Sequence, residues 1–447
     1  MLVIMANLFD PGGNPDGATE QGTFMSKARG DQEPAAKRGP SSQEESPHPG
    51  MGFAEFVTIV AAMMAVNALA IDIMLPALPS IGGSLNVSEE NRTQLVITAY
   101  LIGFGFTQLF YGTLSDRYGR KPILIAGLLI YALFGALSVI ATSFEQLLFA
   151  RLMQGVGAAA SRVIALSLVR DCYGGRRMAK VMSLVMIVFI AVPVVAPSLG
   201  QILVLLGPWR LIFAVLTVMG LVLIAWTLLR LPETLPPERR IAISPKSIVT
   251  SFRIVLSNRI TLGYALAATV VMGSLFGFIN SAQQIFVDVF EIGAIFPLAF
   301  ASIALFMAMA SVINSRIVER LGMRRVSHSA LLLFTAAGIV HSLINLAGLE
   351  TVWLFIALQA VTMFGFGLVM PNFNSIAMDP VGQVAGTASS FLGFITTLGG
   401  ALLGYFIGQA FNGTPLPMAL GFAGLGIASI IIVLVTEQGR LFRGVYD

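Results

Sequence analysis

Apolar blocks of about 20 residues follow one another through most of this chain, beginning at Phe53. A helix needs about 20 apolar residues to cross the hydrocarbon core of a bilayer. Charged residues make up only 11% of the sequence, whereas soluble domains carry roughly 25%. A soluble fold of 447 residues could not cover its surface with so few charges. The sequence therefore predicts an all-α membrane protein that crosses the bilayer many times.

The apolar blocks number twelve and fall into two sets of six. We expect the spans near residues 54–78, 93–114, 121–142, 146–169, 179–205, 209–230, 260–283, 294–316, 326–348, 351–376, 384–410 and 415–436. The polar segment 231–259 separates the sixth block from the seventh, and we interpret it as a cytoplasmic linker. It divides an N-terminal six-helix half, residues 53–230, from a C-terminal half, residues 260–436. Residues 437–447 form a cytoplasmic C-terminal tail.

Residues 1–52 differ from the rest of the chain because they are rich in Gly, Pro, Ser and charged residues. Such a segment cannot bury enough apolar surface to offset the entropy lost on ordering, so we predict a disordered cytoplasmic tail. It lacks the charged-then-apolar pattern of a signal peptide. Met1, Met25 and Met51 are alternative start residues.

Basic residues lie mainly on one side of the predicted spans. With the N-terminus inside the cell, most of the 27 Lys and Arg residues fall in inner segments, and the outer loops hold only Arg92 and Arg210. Arg151 and Arg162 lie within the fourth span, and the inner loop around Asp379 has no basic residue. The positive-inside rule therefore predicts that both termini are cytoplasmic.

A short motif occurs twice, at the same place in each half. Asp116-Arg-Tyr-Gly-Arg-Lys121 follows the second span, and Glu319-Arg-Leu-Gly-Met-Arg324 follows the eighth. Both copies read acid, Arg, any residue, Gly, any residue, basic. Two related halves around a central cavity are typical of secondary transporters, so the repeat indicates a transporter.

The first copy of the motif has the residues of an inner gate. Its glycines allow close helix packing and a sharp turn. We expect Arg117 to pair with Asp171 at the inner end of the fourth span, and Asp116 to lie at the positive end of a helix dipole. Such contacts can hold the inner face closed; a positively charged stop for helix insertion is the alternative interpretation. The predicted gate residues are Gly112, Asp116, Arg117, Gly119, Arg120, Asp171, Glu319 and Arg320.

Few charged side chains lie well inside the predicted spans. Apart from Glu55 at the inner edge of the first span, they are Asp72, Arg151 and Arg162. A charge at the bilayer centre costs roughly 2.5–3.5 kcal/mol on insertion scales, so these residues are candidates for function. Apolar surroundings favour the protonated form of a carboxylate, and we expect Asp72 to carry a coupling proton. An ion pair that only fixes the packing of the first span on the fourth is the alternative.

Arg162 lies eleven residues after Arg151, about 16 Å along the same helix and on nearly the same face. Three roles stay open for it: neutralising Asp72 through water, binding an anionic substrate, or a structural pairing. Polar side chains inside a bundle of spanning helices should face a cavity or a neighbouring helix. The predicted residues of the substrate cavity are Arg162, Gln154, Asn280 and Gln284.

Two of these motifs, and the surroundings of Asp72, resemble signatures of one transporter family. The segment 112–121 resembles motif A of the major facilitator superfamily. Arg151-Leu-Met-Gln-Gly-Val-Gly157 looks like motif B of its drug:proton antiporters, whose arginine modulates the proton site. Asp72-Ile-Met-Leu-Pro76 is similar to the acid-then-proline motif of their first helix.

Three further segments resemble the Bcr/CflA multidrug branch of that superfamily in particular. They are Val169-Arg-Asp-Cys-Tyr173, Pro232-Glu-Thr-Leu-Pro-Pro-Glu-Arg-Arg240 and Ala385-Gly-Thr-Ala-Ser-Ser390. The resemblance covers residues 53–436. One departure lies in the fifth span, where motif C has Gly-Pro followed by Gly-Gly and this chain has Pro193-Val-Val-Ala-Pro-Ser-Leu-Gly-Gln201. The prolines can still kink the helix, but packing near the outer gate should differ.

The resemblance implies a major facilitator fold and a proton-driven exporter of small amphipathic drugs, such as bicyclomycin or chloramphenicol-like compounds, that works by alternating access. Asp72 and Arg151 would serve proton coupling. A facilitator-type carrier of a natural metabolite, which Arg162 makes conceivable as an anion, is the alternative. An enzyme is not expected, since the spans show no metal-ligand cluster or nucleophile–base pair.

The sequence contains no Walker A pattern, so ATP is not expected to drive transport directly. The resemblance implies the proton gradient as the energy source, and no cofactor is expected. The expected partners are protons, a small-molecule substrate and the lipid bilayer, without nucleic acid. We expect a monomer in the inner membrane of a bacterium.

Overall fold

Helices account for nearly all of the protein in its computed structural model, which describes residues 51–240 and 245–442. Those residues contain no β-strand. A spanning segment must satisfy its backbone hydrogen bonds internally, and a helix does so within one segment. The prediction of disorder for the N-terminal tail concerns residues that lie almost wholly outside the described part of the chain.

Seven helices, α1 to α7, form the N-terminal half. The first span combines α1 and the short α2, which are joined by a 3-10 turn at Leu75–Ala77. The bounds are α1 Phe53–Asp72, α2 Leu78–Ser84, α3 Leu95–Tyr118, α4 Arg120–Val139, α5 Phe144–Cys172, α6 Gly175–Leu206 and α7 Arg210–Arg230.

The linker contributes one amphipathic helix, α8, and seven more helices, α9 to α15, form the C-terminal half. The bounds are α8 Pro245–Ser257, α9 Arg259–Gln284, α10 Phe296–Leu321, α11 Met323–Leu346, α12 Val352–Met378, α13 Ala385–Phe394, α14 Gly400–Gln409 and α15 Leu416–Thr436. A π-helical turn, Ile395–Gly399, joins α13 to α14 within one span.

Eleven continuous helical segments in the described ranges are long and apolar enough to cross a membrane. One of them, Val352–Gln409, has 58 residues, whereas about 20 suffice for one crossing. A 3-10 segment with a non-helical residue, Val381, interrupts it between α12 and α13. It therefore contains two spans, which confirms the predicted all-α membrane fold with twelve spans in two halves.

Several spans begin at side chains that cap their free backbone N–H groups. The Ser143 hydroxyl accepts a hydrogen bond from the backbone N–H of Gln146 at the start of α5. The Asn258 amide oxygen accepts a hydrogen bond from the backbone N–H three residues later, at the start of α9. The Thr351 hydroxyl does so at the start of α12. Because these N–H groups have no partner within the helix, each cap fixes where its helix begins.

The bundle exposes large apolar side chains on its surface and buries several polar ones within its apolar core. Leu205 and Leu229 are 77% and 81% exposed on its surface. In contrast, Arg151, Gln154 and Gln359 are fully buried. This arrangement suits a protein whose surroundings are hydrocarbon, where polar groups must find partners within the bundle.

Two helix pairs make most of the helix–helix contacts between the two halves. Helix α3 packs against α13, and α6 packs against α10. We call the end of the bundle that carries Arg117, Arg120, Arg170 and Arg230 the basic end, and the other the opposite end. At the basic end, Arg230 also pairs with Glu55, at 2.8 Å from Nη2 to Oε2, and ties α7 to the start of α1.

Candidate functional site: a buried acid, a polar cavity and two end closures

Asp72 lies where the first span breaks, at the last residue of α1. Its side chain is buried, and its Oδ1 atom has no hydrogen-bond partner among the described residues. Ile73 and Met74, which follow it, are also buried. Gly200 of α6 packs so closely on the carbonyl of Ile73 that a Cβ atom there would collide with it. The carboxylate is therefore enclosed by tightly packed, mainly apolar structure.

Arg151 is fully buried on α5 and makes three strong hydrogen bonds. Its Nε donates to the carbonyl of Val96 at 3.0 Å, and its Nη2 donates to the carbonyl of Ala70 at 2.9 Å. Its Nη1 donates to Oε1 of Gln154 at 2.7 Å. The guanidinium thus holds α1, α3 and α5 together through backbone and amide oxygens, which satisfy a buried cation without a carboxylate.

Aromatic and glycine residues position that guanidinium. The Cζ atom of Arg151 lies 4.4 Å from the ring centroid of Tyr100, within the range of a cation–π contact. Gly155 lets α3 and α5 approach closely, since a Cβ atom there would collide with the carbonyl of Tyr100. Asn67 extends the network to α1: its Nδ2 donates to Ser161 at 2.9 Å, and its Oδ1 accepts from the Tyr100 hydroxyl at 3.4 Å.

Asp72 and Arg151 form no ion pair with each other. The contact of Arg151 with α1 is made to the carbonyl of Ala70, two residues before the acid. The alternative expectation of a packing ion pair between the first and fourth spans is therefore wrong. The sequence analysis also missed Asn67. The signal that could have identified it is a polar side chain about one and a half turns before Asp72 on the same helix.

A charged cluster fixes the basic end of the N-terminal half. Arg120 pairs with Asp171 at 2.8 Å and with Asp116 at 2.6 Å, and it donates to the Ser115 hydroxyl at 2.7 Å. The expected pairing of Arg117 with Asp171 is wrong. Arg117 is exposed and lies over the Tyr118 ring at 5.4 Å, because the turn after α3 directs Arg120 inward instead.

Glu233 caps the start of α4. Its carboxylate accepts hydrogen bonds from the backbone N–H groups of Arg120 and Lys121, at 2.9 and 3.2 Å. Gly119 makes this possible, since its φ is +101° and a Cβ atom there would collide with the Glu233 carboxylate. The expectation that Asp116 would occupy the positive end of a helix is thus wrong: Asp116 lies in the last turn of α3, and Glu233 takes that place.

The second copy of the motif has the same backbone turn as the first but forms different ion pairs. Gly322, with φ +81° and ψ 149°, matches Gly119, with φ +101° and ψ 156°. Glu319 and Arg320 are exposed and form no ion pair within the described residues. Instead Arg324 pairs with Glu437, at 2.7 Å from Nε to Oε1. In each half, a glutamate that follows the sixth span therefore contacts the start of the third span: Glu233 contacts α4, and Glu437 contacts α11.

A cavity of about 600 Å³ lies between the two halves. It reaches from Gln108, Arg162 and Thr396 at mid-bundle to Asp116 and Arg170 at the basic end. Helices α3, α5 and α6 line one side, and α8, α12 and α13 line the other. Gly112, from the predicted gate, also lines it, facing the Ser390 hydroxyl across the two halves.

Amide side chains join the halves at the opposite end. Asn91, just before α3, donates to the carbonyls of Gln409 and Phe411 at 3.2 and 3.0 Å. Gln409 donates back to the Asn91 carbonyl at 2.7 Å, and Gln284 donates to Asn91 Oδ1 at 2.8 Å. Gln94 bonds to Gln284 and to the Gly408 carbonyl. We call Asn91, Gln94, Gln284 and Gln409 the amide clamp.

Three residues predicted for the substrate cavity do not line it. Gln284 belongs to the amide clamp, and Gln154 is bound to Arg151. Asn280 is buried one turn before Gln284, and neither polar atom of its side chain has a partner among the described residues. Of the four predicted residues, Arg162 alone lines the cavity, because polarity within a span does not reveal which neighbour a side chain meets.

The sequence profile of the Major Facilitator Superfamily matches residues 60–404. The chain belongs to that superfamily. Its members are transporters, which confirms the prediction that the protein is not an enzyme.

Curated relatives match nearly the whole chain. It is 30% identical over 390 residues to the uncharacterized MFS-type transporter YdgK of Bacillus subtilis, covering 86% of this chain and 96% of the relative. It is 28% identical to a bicyclomycin resistance protein homolog of Haemophilus influenzae, covering 87% and 98%. It is also 28% identical to the multidrug resistance protein MdtL of Klebsiella pneumoniae, covering 88% and 97%.

Solved structures share the fold. The human organic anion transporter MFSD10 superposes with a TM-score of 0.62 at 19% identity, covering 85% of this chain and 98% of that one. A bacterial homolog of the human lysosomal transporter Spinster, in an inward-facing and unoccupied conformation, gives a TM-score of 0.63 at 14% identity, covering 86% and 95%. At these identities the likeness concerns the fold.

Proposed function

We propose that this superfamily member is a proton-coupled exporter of small amphipathic drugs of the bicyclomycin or chloramphenicol type. The observation that carries the proposal is the buried carboxylate of Asp72, whose Oδ1 has no partner among the described residues. Such a group can hold a proton in one state and release it when water reaches it. The names of the relatives in Haemophilus influenzae and Klebsiella pneumoniae support the drug class.

Alternating access would couple the proton to the cargo. In the described conformation the cavity reaches the basic end, and the amide clamp joins the halves at the opposite end. Opening the opposite end requires the clamp to break and the halves to rock toward each other at the basic end. Asp72 lies beside α6, one of the helices between the halves, so its access to water would change with that motion.

Arg151 would keep the acid's surroundings in place. Its hydrogen bonds to Val96 and Ala70 join α3 and α5 to the end of α1 that carries Asp72. Its hydrogen bond to the Ala70 carbonyl fixes the backbone two residues before the acid. The residue would therefore modulate proton release without pairing with Asp72.

The membrane placement follows from the charges. We propose a bacterial inner-membrane protein whose basic end faces the cytoplasm, with both termini there, since Lys and Arg are retained on the cytoplasmic side. The segment 231–259 then serves as the cytoplasmic linker between the halves 53–230 and 260–436. The cavity would take up its cargo from the cytoplasm or the inner leaflet.

The test is drug-dependent proton movement in inside-out vesicles from a bacterium that lacks its own drug exporters. A pH gradient with an acidic vesicle interior is imposed. Chloramphenicol, bicyclomycin and a wider drug panel are then added. Vesicles with the protein should lose the gradient on adding at least one drug, and vesicles without it should not. If no compound elicits proton movement, the proposal is wrong and a screen of natural metabolites takes its place.

A further inference from the structure

Arg162 is a charged group in the cavity that the described part of the chain leaves without a counter-ion. It is half-buried on α5 and lines the mid-bundle part of the cavity. Within the described residues its guanidinium forms no ion pair and no hydrogen bond. Its neighbour is the Phe104 ring, whose centroid lies 5.6 Å from Cζ. This contact differs from that of Arg151, whose donors are all directed at oxygen atoms of the protein.

The other charges along the cavity do not balance Arg162. Asp116 lies at the basic end and is bound to Arg120 at 2.6 Å. Arg170, also at the basic end, adds a second positive charge. Among the described residues that line the cavity, no carboxylate is left to receive a cation. The cavity therefore favours a negative group and disfavours a positive one.

Apolar and polar surfaces flank the guanidinium. Phe104 is almost fully buried beneath it, and Leu166 and Met182 line the same cavity. Gln108 and Thr396 supply amide and hydroxyl groups at the same depth. A cavity with one charged group, an apolar wall and a few polar side chains fits a small amphipathic molecule.

We propose that Arg162 binds the acidic group of an aromatic, amphipathic cargo, such as an arylalkyl carboxylate, and that Leu166 and Met182 contact its apolar part. A guanidinium presents two parallel N–H donors that match the two oxygens of a carboxylate. The cargo thus supplies the counter-ion that the described protein lacks. The inference adds aromatic carboxylates to the uncharged drugs of the proposed function, and it rests on that function only in taking this cavity as the cargo site.

The experiment measures the thermal stabilisation of the purified full-length protein by matched ligand pairs. Each pair consists of an aromatic carboxylate and its primary amide: 4-phenylbutyrate with 4-phenylbutyramide, and 1-naphthoate with 1-naphthamide. A ligand that binds the folded state raises the unfolding midpoint in proportion to the logarithm of its concentration over Kd. The variants are Arg162→Gln, Arg162→Lys and the control Arg316→Gln, which removes an exposed arginine outside the cavity.

In the parent protein each acid should bind about tenfold more tightly than its amide, as expected for a charge-assisted hydrogen-bonded pair. Arg162→Gln should abolish that preference and leave amide binding unchanged. Arg162→Lys should keep part of it, and Arg316→Gln should keep all of it. Equal binding of acids and amides by the parent, absence of acid binding, or a preference that survives in Arg162→Gln would each overturn the inference.

Failure of this inference is distinguishable from failure of the proposed function. If the parent shows no acid preference but neutral drugs still drive proton movement in vesicles, Arg162 has another role and the exporter function stands. If the acid preference depends on Arg162 but no drug moves protons, the anion site stands and the proposed coupling is wrong.

Discussion

Arg151 donates a hydrogen bond to the carbonyl of Ala70, two residues before Asp72, and forms no ion pair with that acid. The fixed charge therefore acts on the backbone that carries the acid, while one oxygen of the carboxylate has no hydrogen-bond partner among the described residues. An acid locked to an arginine could not exchange its proton readily. The separation of the two groups leaves Asp72 able to gain and lose a proton.

Replacing Arg151 should destabilise the N-terminal half. Arg151→Lys cannot reach Val96, Ala70 and Gln154 together, so at least one buried oxygen loses its donor at a cost of about 1–3 kcal/mol. We expect a lower unfolding midpoint of the purified protein and at least tenfold less drug-dependent proton movement. Arg210→Lys, which alters an arginine bonded to one loop carbonyl, is the matched control. Parent-like behaviour of Arg151→Lys would contradict the role given to its three bonds.

Arg120, rather than Arg117, should stabilise the contacts at the basic end of the N-terminal half. Arg120→Gln breaks the pairs with Asp171 and Asp116 and should lower the free energy of unfolding by about 2–3 kcal/mol. Arg117→Gln removes the same charge from an exposed side chain, one residue after Asp116, and should change the free energy of unfolding by less than about 0.5 kcal/mol. Denaturant titration of the two purified variants compares them directly. The reverse order would reinstate Arg117 as the partner of Asp171.

Alanine at Gly119 should cost more than alanine at Gly322. Both residues have positive φ, but only at Gly119 would a Cβ atom meet another side chain, the carboxylate of Glu233. We expect about 1–3 kcal/mol of backbone strain in both variants, since both glycines combine a positive φ with an extended ψ. Gly119→Ala should lose the cap on α4 in addition. Gly174→Ala, at negative φ with open space around it, should be neutral. Equal midpoints for Gly119→Ala and Gly322→Ala in thermal unfolding would speak against the cap.

Cross-linking the amide clamp should stop transport reversibly. The protein has one cysteine, Cys172, so Cys172→Ser gives a background in which Asn91→Cys and Gln409→Cys can be oxidised to one disulfide. The side-chain amide of each residue donates to the backbone carbonyl of the other, at 2.7 and 3.2 Å, so cysteines at the two positions should be close. Oxidation should abolish drug-dependent proton movement, and reduction should restore it. Each single cysteine variant is the control; undiminished transport by the cross-linked pair would show that the clamp need not open.

The fold could be predicted from the sequence because the features that determine it are local. They are the length of each apolar block and the side of the membrane on which its flanking basic residues lie. Each apolar block became a span, and the longest continuous segment still contained a break near Asp379. The importance of Gly119 was also readable, since its motif recurs around Gly322. What the motif could not show was its partner. Glu233 lies more than a hundred residues away, and only the folded bundle brings it to α4.

The contacts between distant helices were therefore the least predictable part of the site. Arg117 and Arg120 are both basic and close in sequence, and the geometry of the turn at Gly119 decides which one points inward. Gln284 and Arg162 both looked like cavity residues, yet one closes the opposite end and the other lines the cavity. Polarity inside a span marks a side chain that needs a partner and does not identify it.

Proton coupling through Asp72 is tested most directly by comparing Asp72→Asn with the parent in two transport modes. Proteoliposomes are assayed for proton movement driven by an exported drug, and for exchange of labelled for unlabelled drug without a pH gradient. Asn matches the size of the acid and cannot cycle a proton, so Asp72→Asn should lose the proton movement and keep the exchange. If Asp72→Asn moves protons with drug as the parent does, another residue carries the proton and the account is contradicted.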